Sequence, residues 1–354
     1  MAERAAPARV TIARAGAPAE PEEPDDGRPV VIAARGLRKD FGDEPVLRDL
    51  SLVVREGEIF GLIGPSGSGK STMIHLCCGH LRPSGGEVRV LGQDPVRFTA
   101  ATRRRLGYMP QGFIFYPDLT VVQNVAFAAG LYGLPEWRSR KRIKATLQLV
   151  ELWEARDRAV RAVSGGMQRR VALAAALVHD PAVLFVDEPT ANLDPILRAR
   201  LWAHFRQLRE RDRTLLITTQ FVDEAEYCDR VGLIYGGTLI AVGRPLALRR
   251  RALGGDVVDI TVERPSPRYV AAVADVPGVY SAESRPDEPL RAIVEDADRA
   301  IPTLLEALER SGAAVRSVTQ YRPTFDEVFI RLIEQHGGAR PPVGRLQTSA
   351  VEEG

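Results

Sequence analysis

A short apolar run ending at Ile63 leads straight into Gly64-Pro65-Ser66-Gly67-Ser68-Gly69-Lys70-Ser71-Thr72, and from Lys70 to Cys78 the chain reads as helix. This order of strand, glycine loop and helix restricts the fold more than any other stretch. A strand over residues 58–63 that is apolar on both faces belongs inside a parallel sheet. Parallel neighbours cannot be joined by tight turns, so helical crossovers must separate them. Glycines at 64, 67 and 69 let the backbone close around an anion with its N–H groups turned inward. The helix that follows directs the positive end of its dipole at the same point. In a loop of this pattern Lys70 is placed to reach the β- and γ-phosphates of a nucleotide, and the Ser71 hydroxyl to bind Mg2+.

The rest of the chain supplies the alternation that such a sheet needs. Residues 30–35 and 47–54 read as strands, the second alternating Leu50, Leu52 and Val54. Residues about 112–162 read as mostly helical, with Ile143, Leu147 and Val150 on one face. Then follow helix over 165–179, strand over 183–186, helix over 196–211 and strand over 215–219. A short acidic helix over 221–228 and a strand over 231–235 complete the series. The pattern predicts an α/β fold with a mainly parallel sheet and helices on both faces.

After about residue 252 the character changes. Four strand-like runs, at 257–262, 279–284, 290–294 and 315–321, alternate with helices at about 267–275 and 298–311. Thr324 and Glu327 are spaced as a capping box after Pro323. Phe325, Val328, Phe329, Leu332 and Ile333 then share one helical face. The expected division is a main domain at 29–250 and a small α+β domain at 252–336. Residues 1–28, rich in Ala, Pro, Glu and Asp, and residues 337–354 read as disordered tails.

Charge narrows the partners. The chain carries 48 basic and 46 acidic residues, for a net charge of +2. A nucleic-acid binder would show a strong basic excess, so no nucleic acid is expected. Local basic clusters at Arg103-Arg104-Arg105, Arg138 to Lys144 and Arg249-Arg250-Arg251 read either as solvated faces or as surfaces toward anionic lipid head groups. Three cysteines without framework spacing suggest buried thiols and a reducing compartment. Neither a signal peptide nor a membrane-spanning helix is visible in the sequence; the best apolar run, Val171 to Val178, is interrupted by His179 and Asp180. If the protein serves a membrane process, another chain must supply the membrane part.

Two later motifs complete the chemistry. Asp187 ends the apolar run Val183 to Val186 and is placed to hold Mg2+ through water. Glu188, beside it, is suited to polarise an attacking water. Ser164-Gly165-Gly166 opens a helix and so presents a second set of backbone N–H groups. A chain with one phosphate loop has no use for a second anion site in the same pocket, but a second copy facing it does.

With these residues assembled, the chain resembles the nucleotide-binding subunit of an ATP-binding cassette (ABC) transporter over about residues 30–245. Gly64 to Thr72 is similar to the family's Walker A loop, Val183 to Glu188 to its Walker B strand, and Val163 to Gln168 to its signature motif. Gln111 resembles the Q-loop glutamine, which contacts Mg2+ and responds to the membrane subunit. Asn192-Leu193-Asp194 resembles the D-loop, and Phe41 falls where the family stacks an aromatic ring on adenine. The resemblance implies a P-loop ATPase core with antiparallel N-terminal strands and a helical subdomain. It also implies two such subunits that sandwich two ATP molecules, each Ser-Gly-Gly turn binding the γ-phosphate held by the other.

Two positions depart from the family pattern. Met167 stands where glutamine is common, a variant that looks like exporters of the ABC-2 type. Gln220 replaces the switch histidine within Ile217-Thr218-Thr219-Gln220-Phe221. Its amide can donate to a phosphate oxygen but carries no charge, which predicts weaker electrostatic help. The same Thr-Thr-Gln, with Pro323 to Phe329 at the C-terminal end, resembles daunorubicin-resistance-type ATPases.

The leading expectation is an ATPase of a membrane exporter at the cytoplasmic face of the membrane. Its partners would be an integral membrane permease and a second nucleotide-binding subunit, with two equal copies sufficient. A soluble cassette ATPase acting on nucleic acid or ribosomes is the alternative; a second cassette, a long coiled coil or zinc-type cysteines would mark it. A GTPase or small-molecule kinase would leave Gln111 and Ser164-Gly165-Gly166 without a task.

Overall fold

A computed structural model describes residues 10–13, 27–112, 115–285 and 288–337. The chain divides into two compact units, one formed by residues 25–245 and the other by 246–338 together with the N-terminal strand Val10–Ala13. The division falls a few residues before the one read from the sequence, at the start of the helix Pro245–Leu253.

The larger unit is built on a six-stranded sheet. Its order is Thr238–Gly243, Arg230–Tyr235, Ile59–Ile63, Thr214–Thr219, Val183–Asp187 and Leu106–Met109. All neighbours run parallel except the first pair, an antiparallel hairpin. Ile59–Ile63, Val183–Asp187 and Thr214–Thr219 are buried at every residue. That explains why they read as continuous apolar runs rather than alternating ones. The register sets Ile63 opposite Thr219 and Asp187 opposite Thr218. The carboxyl ends of three central strands therefore share one edge, where open α/β sheets bind ligands.

A three-stranded antiparallel sheet of Glu44–Arg55, Val30–Phe41 and Gly85–Val90 packs into the same core. Leu37, Leu47, Leu50 and Val54 from it meet Phe60, Leu62, Met73, Ile74 and Phe185 there. Each such side chain contributes about 1.5–3 kcal/mol by leaving water. The region read as mostly helical holds two helices, Val121–Leu131 and Glu136–Leu149. The first is closed by a capping box between Thr120 and Gln123 that the sequence reading had missed. The stretch read as an acidic helix over 221–228 is instead a tighter 3₁₀ turn, Val222–Tyr227.

The smaller unit is a five-stranded antiparallel sheet ordered Val10–Ala13, Val279–Ser284, Leu290–Val294, Asp256–Val262 and Val315–Tyr321. Helices Pro267–Ala274 and Ala297–Arg310 pack on it through Tyr269, Val270, Val273, Leu304 and Leu308. Val10–Ala13 corrects the reading of residues 1–28 as a disordered tail, since it pairs with Val279–Ser284 in register from Val10–Ser284 to Ala13–Ser281. Four residues carry too little periodicity to announce a strand, and the unsatisfied edge of a neighbour recruits them. Residues 1–9, 14–26 and 338–354, the remainder of both expected tails apart from 27, 28 and 337, lie outside the described residues.

The capping box at Thr324 is half realised. Thr324 Oγ1 accepts from the Glu327 N–H at 3.4 Å, but the Glu327 carboxylate takes the Tyr321 hydroxyl at 2.8 Å. Two of the basic clusters are partly neutralised: Arg250 forks onto Asp256 at 2.8 and 2.9 Å, and Arg142 pairs with Asp180 at 3.0 Å. Cys77 and Cys228 are buried and Cys78 is half-buried, all three as free thiols.

Candidate active site

The glycine loop is fixed at both ends. The Gly64 N–H donates to the Thr219 carbonyl at 3.2 Å, tying the loop to the neighbouring strand. A Cβ on Gly64 would collide with the Ile234 carbonyl. At the other end Gly69 has φ +99°, and a Cβ there would lie 2.5 Å from Leu47 Cδ2. The helix Lys70–Cys77 starts from that glycine, so its free N–H groups face the loop.

Lys70 is 3% exposed, with its Nζ donating to the Gly64 carbonyl at 2.8 Å and the Pro65 carbonyl at 3.0 Å. It also meets Glu188 Oε1 at 3.1 Å. Burial pushes its ammonium below the usual lysine range, and the Glu188 carboxylate pulls the other way. Ser71 Oγ donates to Asp187 Oδ1 at 3.0 Å, and Thr218 Oγ1 donates to the same oxygen at 2.6 Å. Glu188 follows in a left-handed backbone conformation, φ +43°. Such a conformation costs on the order of 1–3 kcal/mol for a residue with a side chain. It is held by the Glu188 N–H, shared between the Thr218 carbonyl and Thr218 Oγ1 at 3.1 Å each. Gln111 Nε2 donates to Glu188 Oε2 at 2.9 Å, and Arg169 Nη1 donates to the Gln111 carbonyl at 2.6 Å.

The structure thus brings Lys70, Ser71, Gln111, Asp187 and Glu188 into one hydrogen-bonded cluster at the sheet edge. Gly64, Pro65, Ser66, Gly67, Ser68 and Gly69 form the loop beside it, with Thr72 in the first turn of the helix. Gln220 lies one residue past the strand Thr214–Thr219, half-buried. Three expected elements stand apart from the cluster. Ser164 caps the helix Gly165–Leu177 by accepting from the Met167 N–H at 3.3 Å, and both Ser164 and Gly165 are exposed. Among the described residues, no hydrogen bond or ion pair joins Ser164, Gly165 or Gly166 to the loop 64–71 of the same chain. Asp194 caps the helix Pro195–Arg209, accepting from the Leu197 N–H at 2.9 Å. Phe41 is exposed at the turn before Glu44–Arg55, with Lys39 Nζ 4.9 Å from its ring centre.

Two residues were missed from the sequence. Thr218 joins Asp187 and Glu188, and only the cross-strand register reveals it. Arg169 is 6% exposed, although it lies in the polar run Gln168-Arg169-Arg170, where the sequence gives no sign that one arginine is buried. Thr218→Val keeps the shape but removes the donor to Asp187 and an acceptor for Glu188, both buried. It is expected to lower stability by about 1–3 kcal/mol, read as a lower urea midpoint.

A glycine cradle on a helix N-terminus, a buried lysine and paired carboxylates at a parallel strand end define a P-loop nucleotide-binding cassette. Residues 47–191 match the ABC transporter family, and residues 243–333 match the C-terminal domain of DrrA1-3-like ATP-binding proteins. The chain belongs to the ATP-binding subunits of ABC transporters. It is 36% identical over 302 residues to the daunorubicin resistance ATP-binding protein DrrA3 of Streptomyces coeruleorubidus, covering 85% of this chain and 95% of that one. It is 42% identical over 234 residues to the probable multidrug ABC transporter ATP-binding protein YbhF of Escherichia coli (strain K12). That match covers 66% of this chain and 40% of the relative's length. A solved dimeric ATP-binding cassette in a post-hydrolysis state, bound to ADP and Pi, aligns with a TM-score of 0.55 at 27% identity. The alignment covers 60% of this chain and 98% of that one.

Proposed function

We propose that this chain hydrolyses ATP to power a membrane exporter, working as one of a pair of nucleotide-binding subunits beside an integral membrane permease. The observation that carries this reading is a division within the site. Lys70, Ser71, Gln111, Asp187 and Glu188 are assembled in one chain, while Ser164 and Gly165 are exposed and, among the described residues, no hydrogen bond ties them to that cluster of their own chain. A turn of free N–H groups at a helix start suits an anion held by another copy.

The donor set fits ATP and Mg2+. Ser71 Oγ and Asp187 Oδ1 are hard oxygen ligands 3.0 Å apart beside the phosphate cradle, the arrangement that Mg2+ shares with nucleotide phosphates. Bound there, Mg2+ would neutralise charge developing on the phosphate oxygens. Ser71, Asp187 and the Gln111 amide would hold it, and Lys70 would turn from Glu188 toward the β- and γ-phosphates. Glu188, released from that ion pair, would accept the proton of the attacking water. Gln220 would donate its amide to the γ-phosphate, Phe41 would stack on adenine, and Asp194 would keep the loop before Pro195–Arg209 in place at the subunit boundary.

Among the described residues no helix is long and apolar enough to cross a membrane. A permease would bind the chain at the cytoplasmic face through the helical region, where Tyr116, Phe127 and Leu131 are exposed and the Tyr116 and Phe127 rings lie 5.0 Å apart. Similarity to a daunorubicin resistance protein and to a linearmycin resistance protein of Bacillus subtilis (strain 168) supports a drug-like or lipid-like cargo. The test is a pull-down from native membranes. Recovery of a multi-helix membrane protein that stimulates ATP hydrolysis is expected. Recovery of none, or a salt-sensitive shift of DNA or RNA by the chain, would contradict the reading.

A further inference from the structure

One turn past the exposed Ser164-Gly165 end, the helix Gly165–Leu177 buries an arginine in the pocket of its own chain. Arg169 is 6% exposed, and its Nη1 donates to the Gln111 carbonyl at 2.6 Å. Gln111 in turn donates through Nε2 to Glu188 Oε2 at 2.9 Å, and Glu188 Oε1 meets Lys70 at 3.1 Å. One continuous helix therefore joins the surface offered to a facing copy with the glutamine beside the proposed base.

We propose that Arg169 is a positioning residue: its guanidinium fixes the Gln111 backbone so that the Gln111 amide stays on Glu188, and it ties that contact to the placement of the Ser164-Gly165 turn. The proposal rests on the ATP-hydrolysing function argued above. A guanidinium suits this work because a charged donor makes a shorter and stronger bond to a carbonyl than a neutral one. Its neighbour does something else. Arg170 Nη1 donates to the Val150 and Glu151 carbonyls at 3.2 and 3.3 Å, within the helical region. Burial pushes the Arg169 guanidinium below the usual arginine range, and the Glu188 carboxylate offsets only part of that shift. Gln111 thus receives a backbone contact from the helix that a second copy would touch and makes a side-chain contact with the carboxylate that would act on water. A shift of the Ser164-Gly165 turn on pairing would be passed to Glu188 along that route.

The variants are Arg169→Met, which keeps much of the stem and removes donor and charge, and Arg169→Lys, which keeps the charge as a point donor. In nucleotide-free protein, hydrogen exchange of the Gln111 side-chain amide, which donates to Glu188 Oε2 at 2.9 Å, should be about tenfold faster in Arg169→Met, the loss expected for one charged hydrogen bond. Amides of the helix Gly165–Leu177 should keep the parent's protection. In steady-state assays kcat should fall about tenfold and by more than KM for MgATP rises, because Gln111 Nε2 orients the base while Ser71 and Asp187 would still hold Mg2+. Arg169→Lys should recover part of both effects. Unchanged exchange of the Gln111 side-chain amide overturns the proposal, and so does a fall in kcat matched by loss of protection across the helix. Where Arg169→Met does not fold, Arg169→Lys is judged by the same exchange criterion. A parent chain that fails to hydrolyse ATP would sink the function reading, while the exchange measurement would still decide the Arg169 contact.

Discussion

Glu188→Gln is expected to bind ATP as the parent does and to release phosphate about 10²–10⁴ times more slowly, the contribution of a positioned general base. The substitution keeps size and shape and removes only the capacity to take a proton. That loss corresponds to about 3–5 kcal/mol of barrier. The fold should survive it. The Glu188 N–H still bonds to Thr218, and the neutral amide can still accept from Gln111 Nε2. The ion pair with Lys70 is lost, but Lys70 keeps the Gly64 and Pro65 carbonyls at 2.8 and 3.0 Å. Nucleotide affinity from fluorescent ATP binding and turnover from phosphate release check the two halves separately. Turnover close to the parent's would remove Glu188 from the role.

The second large effect is expected at Gly165. A Cβ there would meet nothing within 4 Å in its own chain, and the residue is exposed. Gly165→Asp therefore costs the single chain no packing. A carboxylate in the first turn even favours the helix dipole. If the turn closes on a phosphate held by a facing copy, the new charge meets like charge across the boundary, which costs several kcal/mol. Turnover should drop by about a hundredfold or more while the lone chain binds nucleotide with unchanged affinity. Because a Cβ there meets nothing within 4 Å, loss of turnover with unchanged nucleotide affinity and unchanged exchange of the Gln111 side-chain amide would report the second copy. Parent-like turnover would mean that the turn does not face a phosphate.

The parts of the site that were legible in the sequence are those written as contiguous motifs. Lys70, Ser71, Asp187 and Glu188 each sit at the end of a wholly buried strand or the start of the next helix, where an apolar run stops abruptly. Gln111 was read from its motif, and the structure sets its amide on Glu188. Thr218 was quoted but given no task, since its contact with Asp187 depends on which strands are neighbours and in what register. Arg169 needed the depth of a helix in the fold, which helical spacing alone does not give.

The same distinction runs through the fold. Val183–Asp187 and Thr214–Thr219 were visible because each has an uninterrupted apolar run at its centre, Val183 to Val186 and Leu215 to Ile217. Gly85–Val90, with only Val88 and Val90 buried, was not, and neither was Thr238–Gly243, which is placed by its hairpin with Arg230–Tyr235. Val10–Ala13 has no periodicity of its own and is defined by the strand it joins. Short edge strands take their conformation from a partner, so a window of sequence around them contains little of the cause.

The claim on which the account turns is that two chains close on ATP between the lysine loop of one and the serine-glycine turn of the other. The most direct measurement is a structure of Glu188→Gln trapped with MgATP. The account predicts Ser164 Oγ within about 3 Å of a γ-phosphate oxygen held by Lys70 of the facing copy, the distance of a hydrogen bond. A nucleotide-saturated structure in which the Ser164-Gly165 turn faces solvent, away from any phosphate, would contradict it.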